Sequence, residues 1–169
     1  MSKFLKGKFY NPSQGNLTFP GVIKEMISYI SEKPEKFYDI IVGCDSSSDK
    51  TPYFPVAVVI LRVGEGGRFF LKKIGYQNRM FYSWKERVLE EVLISCELAL
   101  YLKENFEKKI KDLNKNLNHQ LRYIHADVGE NGATKDMIKE VTGLIRGNGF
   151  EPKIKPEAYV ASTVDDRYA

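Results

Sequence analysis

The spacing of apolar residues changes period at Ser83, and that change commits the chain to a mixed α/β architecture. Before it, three short segments rich in aliphatic and β-branched residues follow one another: Asp39-Ile40-Ile41-Val42-Gly43-Cys44-Asp45, Val56 to Val63, and Arg68 to Ile74. Ser46 to Pro52 and Gly64-Glu65-Gly66-Gly67 supply turn chemistry between them, so the pattern predicts a three-stranded antiparallel meander. After it, Val88, Leu89, Val92, Leu93, Cys96, Ala99 and Leu100 recur at a period near 3.6 and predict a long helix from Ser83 to about Phe106 or beyond.

The remaining elements are read the same way. Thr18 as cap, Pro20 in the first turn and Val22, Ile23, Met26, Ile27 and Ile30 at helical spacing predict a helix over residues 19 to 32. Lys108 to Gln120, rich in Lys and Asn, reads as a solvated helix end plus loop. Leu121 to Asp127 is a fourth strand, Met137 to Ile145 a helix closed by Gly147 or Gly149, Phe150 to Lys155 a fifth strand, and Ala158 to Tyr168 a short C-terminal helix. The expected order is β-β-β-α-β-α-β-α behind an extra N-terminal helix, in a mixed five-stranded sheet whose later strands arrive by right-handed crossovers. No repeat or linker interrupts it, so residues 1 to 169 are expected to form a single domain.

Composition narrows the function classes. With 43% apolar and 28% charged residues in 169, the chain can bury a core without metal or disulfide staples. The longest aliphatic run, Val56 to Leu61, is far short of the roughly 20 residues a membrane span needs. Met1 to Tyr10 has no apolar export core, and the expected location is the cytoplasm. Cys44 and Cys96 lack paired CxxC spacing and read as buried small hydrophobes. His119 and His125 are too few for a histidine-rich zinc site, so any metal would be held by carboxylates. The net charge of +4 is compatible with a polyanionic partner and does not by itself identify one. GxxxxGK[ST] and GxGxxG are both absent.

Asp45 and Asp127 each close a short apolar strand. If those strands pair in parallel, both acids emerge at the C-terminal edge of the sheet, where open α/β sheets bind ligands. Two nearby carboxylates repel unless a cation lies between them, and hard cations prefer oxygen ligands. Strand-ending aspartates are also ordinary turn formers. Glu91 is the third candidate, because Glu91, Ser95 and Ala99 form one i, i+4 stripe that lets a glutamate lean over the sheet edge; Glu86 and Glu90 are its rivals. Asp165 and Asp166 near the chain end are candidates for a fourth carboxylate.

Three segments carry a resemblance: Ile41 to Ser46; His125-Ala126-Asp127-Val128-Gly129-Glu130-Asn131-Gly132-Ala133-Thr134-Lys135; and Lys155-Pro156-Glu157-Ala158-Tyr159-Val160-Ala161-Ser162-Thr163 with its continuation to Tyr168. Together they resemble the YkuK-type family of ribonuclease H-like bacterial proteins, over about Phe9 to Ala169. The resemblance implies a ribonuclease H-like fold, and it places the family's acids on Asp45, Glu91, Asp127 and Asp166, with Asp165 standing where an alanine is usual. It implies Mg²⁺ or Mn²⁺ as cofactor and RNA or DNA as partner, with Asp45 shared by two ions, Glu91 and Asp127 on one and Asp166 on the other. The corresponding activity is metal-dependent phosphodiester hydrolysis. The alternative is a nucleic-acid-binding or scaffold protein that keeps the fold without catalysis.

Subsidiary expectations concern neighbouring residues. His125 shares the sheet face of Asp127 and is either an acid-base neighbour or a buried structural histidine. Gly129 to Lys135 is either a phosphate-receiving helix start or plain turn-and-cap chemistry. Arg68, Phe70, Lys72, Lys73, Tyr76 and Arg79 interleave bases and rings as a nucleic-acid surface would, and as an ordinary meander face would too. Trp84 reads as an anchor at the start of the helix.

Overall fold

A computed structural model describes residue 4, residues 6–47 and residues 51–158. Two short strands, β1 (Phe9–Asn11) and β2 (Gly15–Leu17), open the fold and are followed by helix α1 (Phe19–Glu32). Strands β3 (Tyr38–Cys44), β4 (Phe54–Arg62) and β5 (Gly66–Ile74) form the antiparallel meander. Helix α2 (Trp84–Asp112), strand β6 (His119–His125), a 3₁₀ turn (Ala133–Met137), helix α3 (Ile138–Gly147) and strand β7 (Glu151–Lys153) complete it.

The strands lie in the order β2-β1-β5-β4-β3-β6-β7. The meander, the first three expected helices and the parallel pairing of β6 against β3 are as the sequence predicts, and the sheet has seven strands rather than five. The additional two are the β1–β2 hairpin, added antiparallel to the edge of β5 through Tyr10 opposite Leu71. Strands of three residues are too short to show alternation, so this hairpin leaves no period to read. A side chain holds it instead: Asn11 Oδ1 accepts from the Ser13 and Gln14 amides at 2.9 and 2.8 Å, while Nδ2 donates to the Phe69 carbonyl at 2.9 Å. The fifth expected strand shortens to β7, and α2 continues to Asp112 before Asn114 turns the chain at φ 53°. The expected C-terminal helix lies, beyond Ala158, outside the described residues.

Alternation along β4 sorts the core onto two faces. Val56, Val58 and Ile60 join Ile40, Val42 and Phe70 beneath α1 and α2, whereas Ala57 and Val59 join Ile41 and Leu71 on the opposite face. Each fully buried large aliphatic side chain contributes roughly 1.5–3 kcal/mol. Thr18 caps α1, its Oγ1 accepting from the Gly21 amide at 3.2 Å. Buried Arg62 ties α1 to the meander by donating from Nε to Tyr38 Oη (2.9 Å) and from Nη2 to the Tyr29 carbonyl (2.8 Å). No helix among the described residues is long and apolar enough to cross a membrane.

Two features position the C-terminal edge. The β3–β6 pairing shifts register between Ile40 and Ile41, skipping Arg122, so that Ile124 sits opposite Val42 and packs into the main core. The chain then leaves β3 at Asp45 and β6 two residues before Asp127, on adjacent parallel strands.

Candidate metal and nucleic-acid site

Asp45 is fixed by backbone first: its amide donates to the Pro55 carbonyl at 3.1 Å, and its Oδ1 accepts from the Ser46 amide at 2.8 Å. That turn aims the Ser46 hydroxyl across the sheet edge, where it donates to Glu91 Oε2 at 2.5 Å. Glu91 is only 7% exposed. The small residue one turn later, Ser95, is buried against the same helix, its Oγ donating back to the Glu91 carbonyl at 2.9 Å. Burial pushes the Glu91 carboxyl up to about 8, and the Asp45 and Asp127 carboxylates push the same way; the Ser46 hydroxyl and Arg87 oppose them. Asp45 and Asp127 therefore both act on Glu91 at one end of the sheet.

Asp127 carries a counter-charge that sequence reasoning missed. Lys155 Nζ stands 2.9 Å from Asp127 Oδ1. The approach is prepared by the backbone: the Ala126 amide donates to the Lys153 carbonyl (2.9 Å) and the Lys155 amide to the Val128 carbonyl (2.8 Å). Gly129 leaves the room, since a Cβ there would come within 2.9 Å of Lys155 Cβ. Lys155 opens the third segment quoted for the resemblance, and the close pass at Gly129 is the part no spacing reports.

The rivals of Glu91 stand elsewhere. Glu86 is exposed in the first turn of α2. Glu90 is buried, but it accepts from Tyr76 Oη and pairs with Arg79 Nη1 at 3.1 Å. Asp165 and Asp166 lie outside the described residues. His125 is buried, and burial, with Lys153 nearby, pulls its imidazole down to about 4, so it is neutral at ordinary pH.

Two other candidate surfaces resolve into local structure. The Gly129 amide is taken by Thr134 Oγ1 at 3.1 Å, and the segment enters α3 through a 3₁₀ turn with Lys135 exposed, which is turn-and-cap chemistry. The residues of the β5 stripe go to separate partners: Arg68 stacks on Tyr29 at 4.6 Å, Phe70 is buried, Lys72 Nζ donates to the Lys6 carbonyl, and Tyr76 and Arg79 go to Glu90. Lys73 is exposed. Trp84 packs partly buried against the core at the start of α2, and both cysteines are buried and outside any disulfide, burial pushing the Cys96 thiol up to about 11.

The donor chemistry fits a hard cation. The side chains at this end offer carboxylate and hydroxyl oxygens, burial and then the Asp45 and Asp127 carboxylates raise the Glu91 carboxyl, and one ammonium already stands on Asp127. As placed among the described residues, no three His, Cys, Asp or Glu side chains close around a common point tightly enough to hold an ion.

Comparison with known proteins agrees with this architecture. A family model described as Ribonuclease H-like matches residues 21–169. The chain is 31% identical over 169 residues to the Uncharacterized protein YkuK of Bacillus subtilis (strain 168), covering 95% of each chain. No solved structure matches it. The chain belongs to the ribonuclease H-like family.

Proposed function

We propose that this protein hydrolyses phosphodiester bonds of RNA or DNA with a divalent cation, Mg²⁺ or Mn²⁺, held by Asp45, Glu91, Asp127 and Asp166. The observation that carries the reading is the buried Glu91 carboxyl, held by Ser46 and pressed by Asp45 and Asp127 at the ends of two parallel strands. A buried acid beside two others is costly to ionise, and a cation is what makes that cluster favourable. When bound, the cation supplies charge neutralisation for the scissile phosphate and a more acidic water.

The protein's own residues account for the rest. The Asp45 turn and the Ser46 hydroxyl orient the carboxylates, and Ser95 lets α2 sit close to the edge. Lys155 holds a positive charge on Asp127 and is exposed enough to turn toward a phosphate instead. The cytoplasm is the location consistent with this substrate.

The second reading, a nucleic-acid-binding or scaffold protein without catalysis, is favoured by the same Lys155–Asp127 pair, which already satisfies one of the four acids. The experiment that separates them is incubation of labelled RNA–DNA hybrid, single strands, duplex and four-way junction with Mg²⁺ or Mn²⁺. Cutting by wild type that disappears in Asp45→Asn is the expected result. Undiminished cutting by Asp45→Asn removes the assignment, and salt-sensitive binding without cutting moves it to the second reading.

A further inference from the structure

The segment joining β5 to α2 buries one aromatic ring and presents the residues on either side of it. Phe81 is 1% exposed and packs edge-on to Phe54 with ring centroids 5.0 Å apart. Its neighbours Met80 and Tyr82 are 45% and 70% exposed, and Tyr82 Oη reaches Met80 Sδ at 3.4 Å. Arg79 is fastened beside them, paired to buried Glu90 and lying 4.4 Å over the Phe81 ring. This anchoring gives the exposed side chains a fixed base.

A second exposed ring stands at the same end. Tyr53, 62% exposed, closes the turn that follows Asp45: the Ser47 amide donates to its carbonyl and its amide donates to Ser47 Oγ, both at 3.2 Å. Its ring lies over Gly75, the first residue of the β5–α2 segment, where a Cβ would come within 3.2 Å of Tyr53 Cε1. Cations flank Tyr82 along the chain. Arg79 is half exposed, Lys85 is exposed in the first turn of α2, and Arg87 is close enough to act on the Glu91 carboxylate one turn further along. Glu86 is the exposed acid of the segment, at the helix end that favours negative charge.

Exposed rings interleaved with cations match one polymer closely. Every nucleobase offers a π face to an aromatic ring, and every nucleotide offers a phosphate to a lysine or arginine; a duplex hides the base faces and a single strand does not. We propose that Tyr53 and Tyr82 are stacking platforms for a single strand of nucleic acid, with Lys85 and Arg87 on its phosphates, leading the strand toward Asp45 and Glu91. The direction of the strand rests on the phosphodiester-site reading above; the binding itself needs no cleavage.

Fluorescence anisotropy in EDTA with labelled oligo(dU), oligo(rU) and a duplex tests it. Both single strands bind more tightly than the duplex, and affinity falls with added salt. Tyr82→Ala weakens single-strand binding by about tenfold, and Tyr82→Phe, which keeps the ring, restores it. Lys85→Ala weakens binding and lowers the salt slope by about one. Different affinities for the two oligonucleotides within this pattern name the preferred sugar. Equal or tighter duplex binding, unchanged binding by Tyr82→Ala, or no binding at low salt overturns the proposal, the last pointing to a protein partner for the patch. Binding with these dependences but no cutting in Mn²⁺ overturns the nuclease reading and leaves this one standing; cutting that is indifferent to Tyr82→Ala does the reverse.

Discussion

The Ser46 hydroxyl donates a 2.5 Å hydrogen bond to Glu91 Oε2, tying the turn after β3 to helix α2 at the point where the sheet edge becomes acidic. A hydroxyl is the smallest group that holds a buried carboxylate without adding charge. It favours the ionised form, while burial and two neighbouring carboxylates disfavour it.

Ser46→Ala removes that donor and leaves the Glu91 carboxylate without it. The expected loss of stability is about 1–3 kcal/mol, larger on the alkaline side where Glu91 is ionised. Urea unfolding of wild type and variant at acidic and alkaline pH measures it, and an equal loss at both would place the effect outside the hydrogen bond.

Glu91 also sets a pH dependence. Folded, it holds its proton up to about pH 8; unfolded, it releases it near its ordinary value of 4.5. Between those values the folded chain binds more protons than the unfolded one, so stability falls as pH rises. The destabilising contribution is absent below the lower value and complete above the higher. Glu91→Gln carries no such titration, and its melting temperature relative to wild type is expected to climb steadily from about pH 5 to about pH 9.

Lys155 and Gly129 form one unit and separate on mutation. Lys155→Ala breaks a partly exposed pair and costs under about 1 kcal/mol, yet it is expected to tighten Mn²⁺ binding by removing a competing charge from Asp127. Gly129→Ala forces the chain at Lys155 aside and costs about 1–3 kcal/mol. Thermal melts with and without Mn²⁺ read both effects.

Arg62 tests the scaffold rather than the site. Truncating it to Ala takes the guanidinium donor from the buried Tyr38 hydroxyl and leaves the Tyr29 carbonyl only the longer 3.4 Å bond from Tyr38 Oη, an expected loss of about 3 kcal/mol by chemical unfolding. Single-strand binding by the folded fraction is expected to be unchanged.

Much of this arrangement is legible in the residue order. β3 and β6 announce themselves as apolar runs closed by aspartates, and the Glu91–Ser95 stripe marks the face of α2 that leans over the edge. The β1–β2 hairpin is not legible, because its register depends on Asn11 reaching a carbonyl 58 residues away. Lys155 is equally hidden as a partner of Asp127, since that contact exists only where Gly129 and the chain beyond β7 pass within van der Waals distance. The basic and aromatic letters of β5 mislead for the same reason: burial and separate partners disperse them, while Tyr53 and Tyr82, far apart in sequence, remain exposed near the carboxylate end.

Calorimetric titration of Mn²⁺ into the protein above the Glu91 titration measures whether Asp45, Glu91 and Asp127 together hold a divalent cation. Saturable binding by wild type, lost in Asp45→Asn and in Glu91→Gln while both variants remain folded, is the expected result. Absence of binding by wild type, or equal affinity in the Asp45→Asn protein, would contradict it.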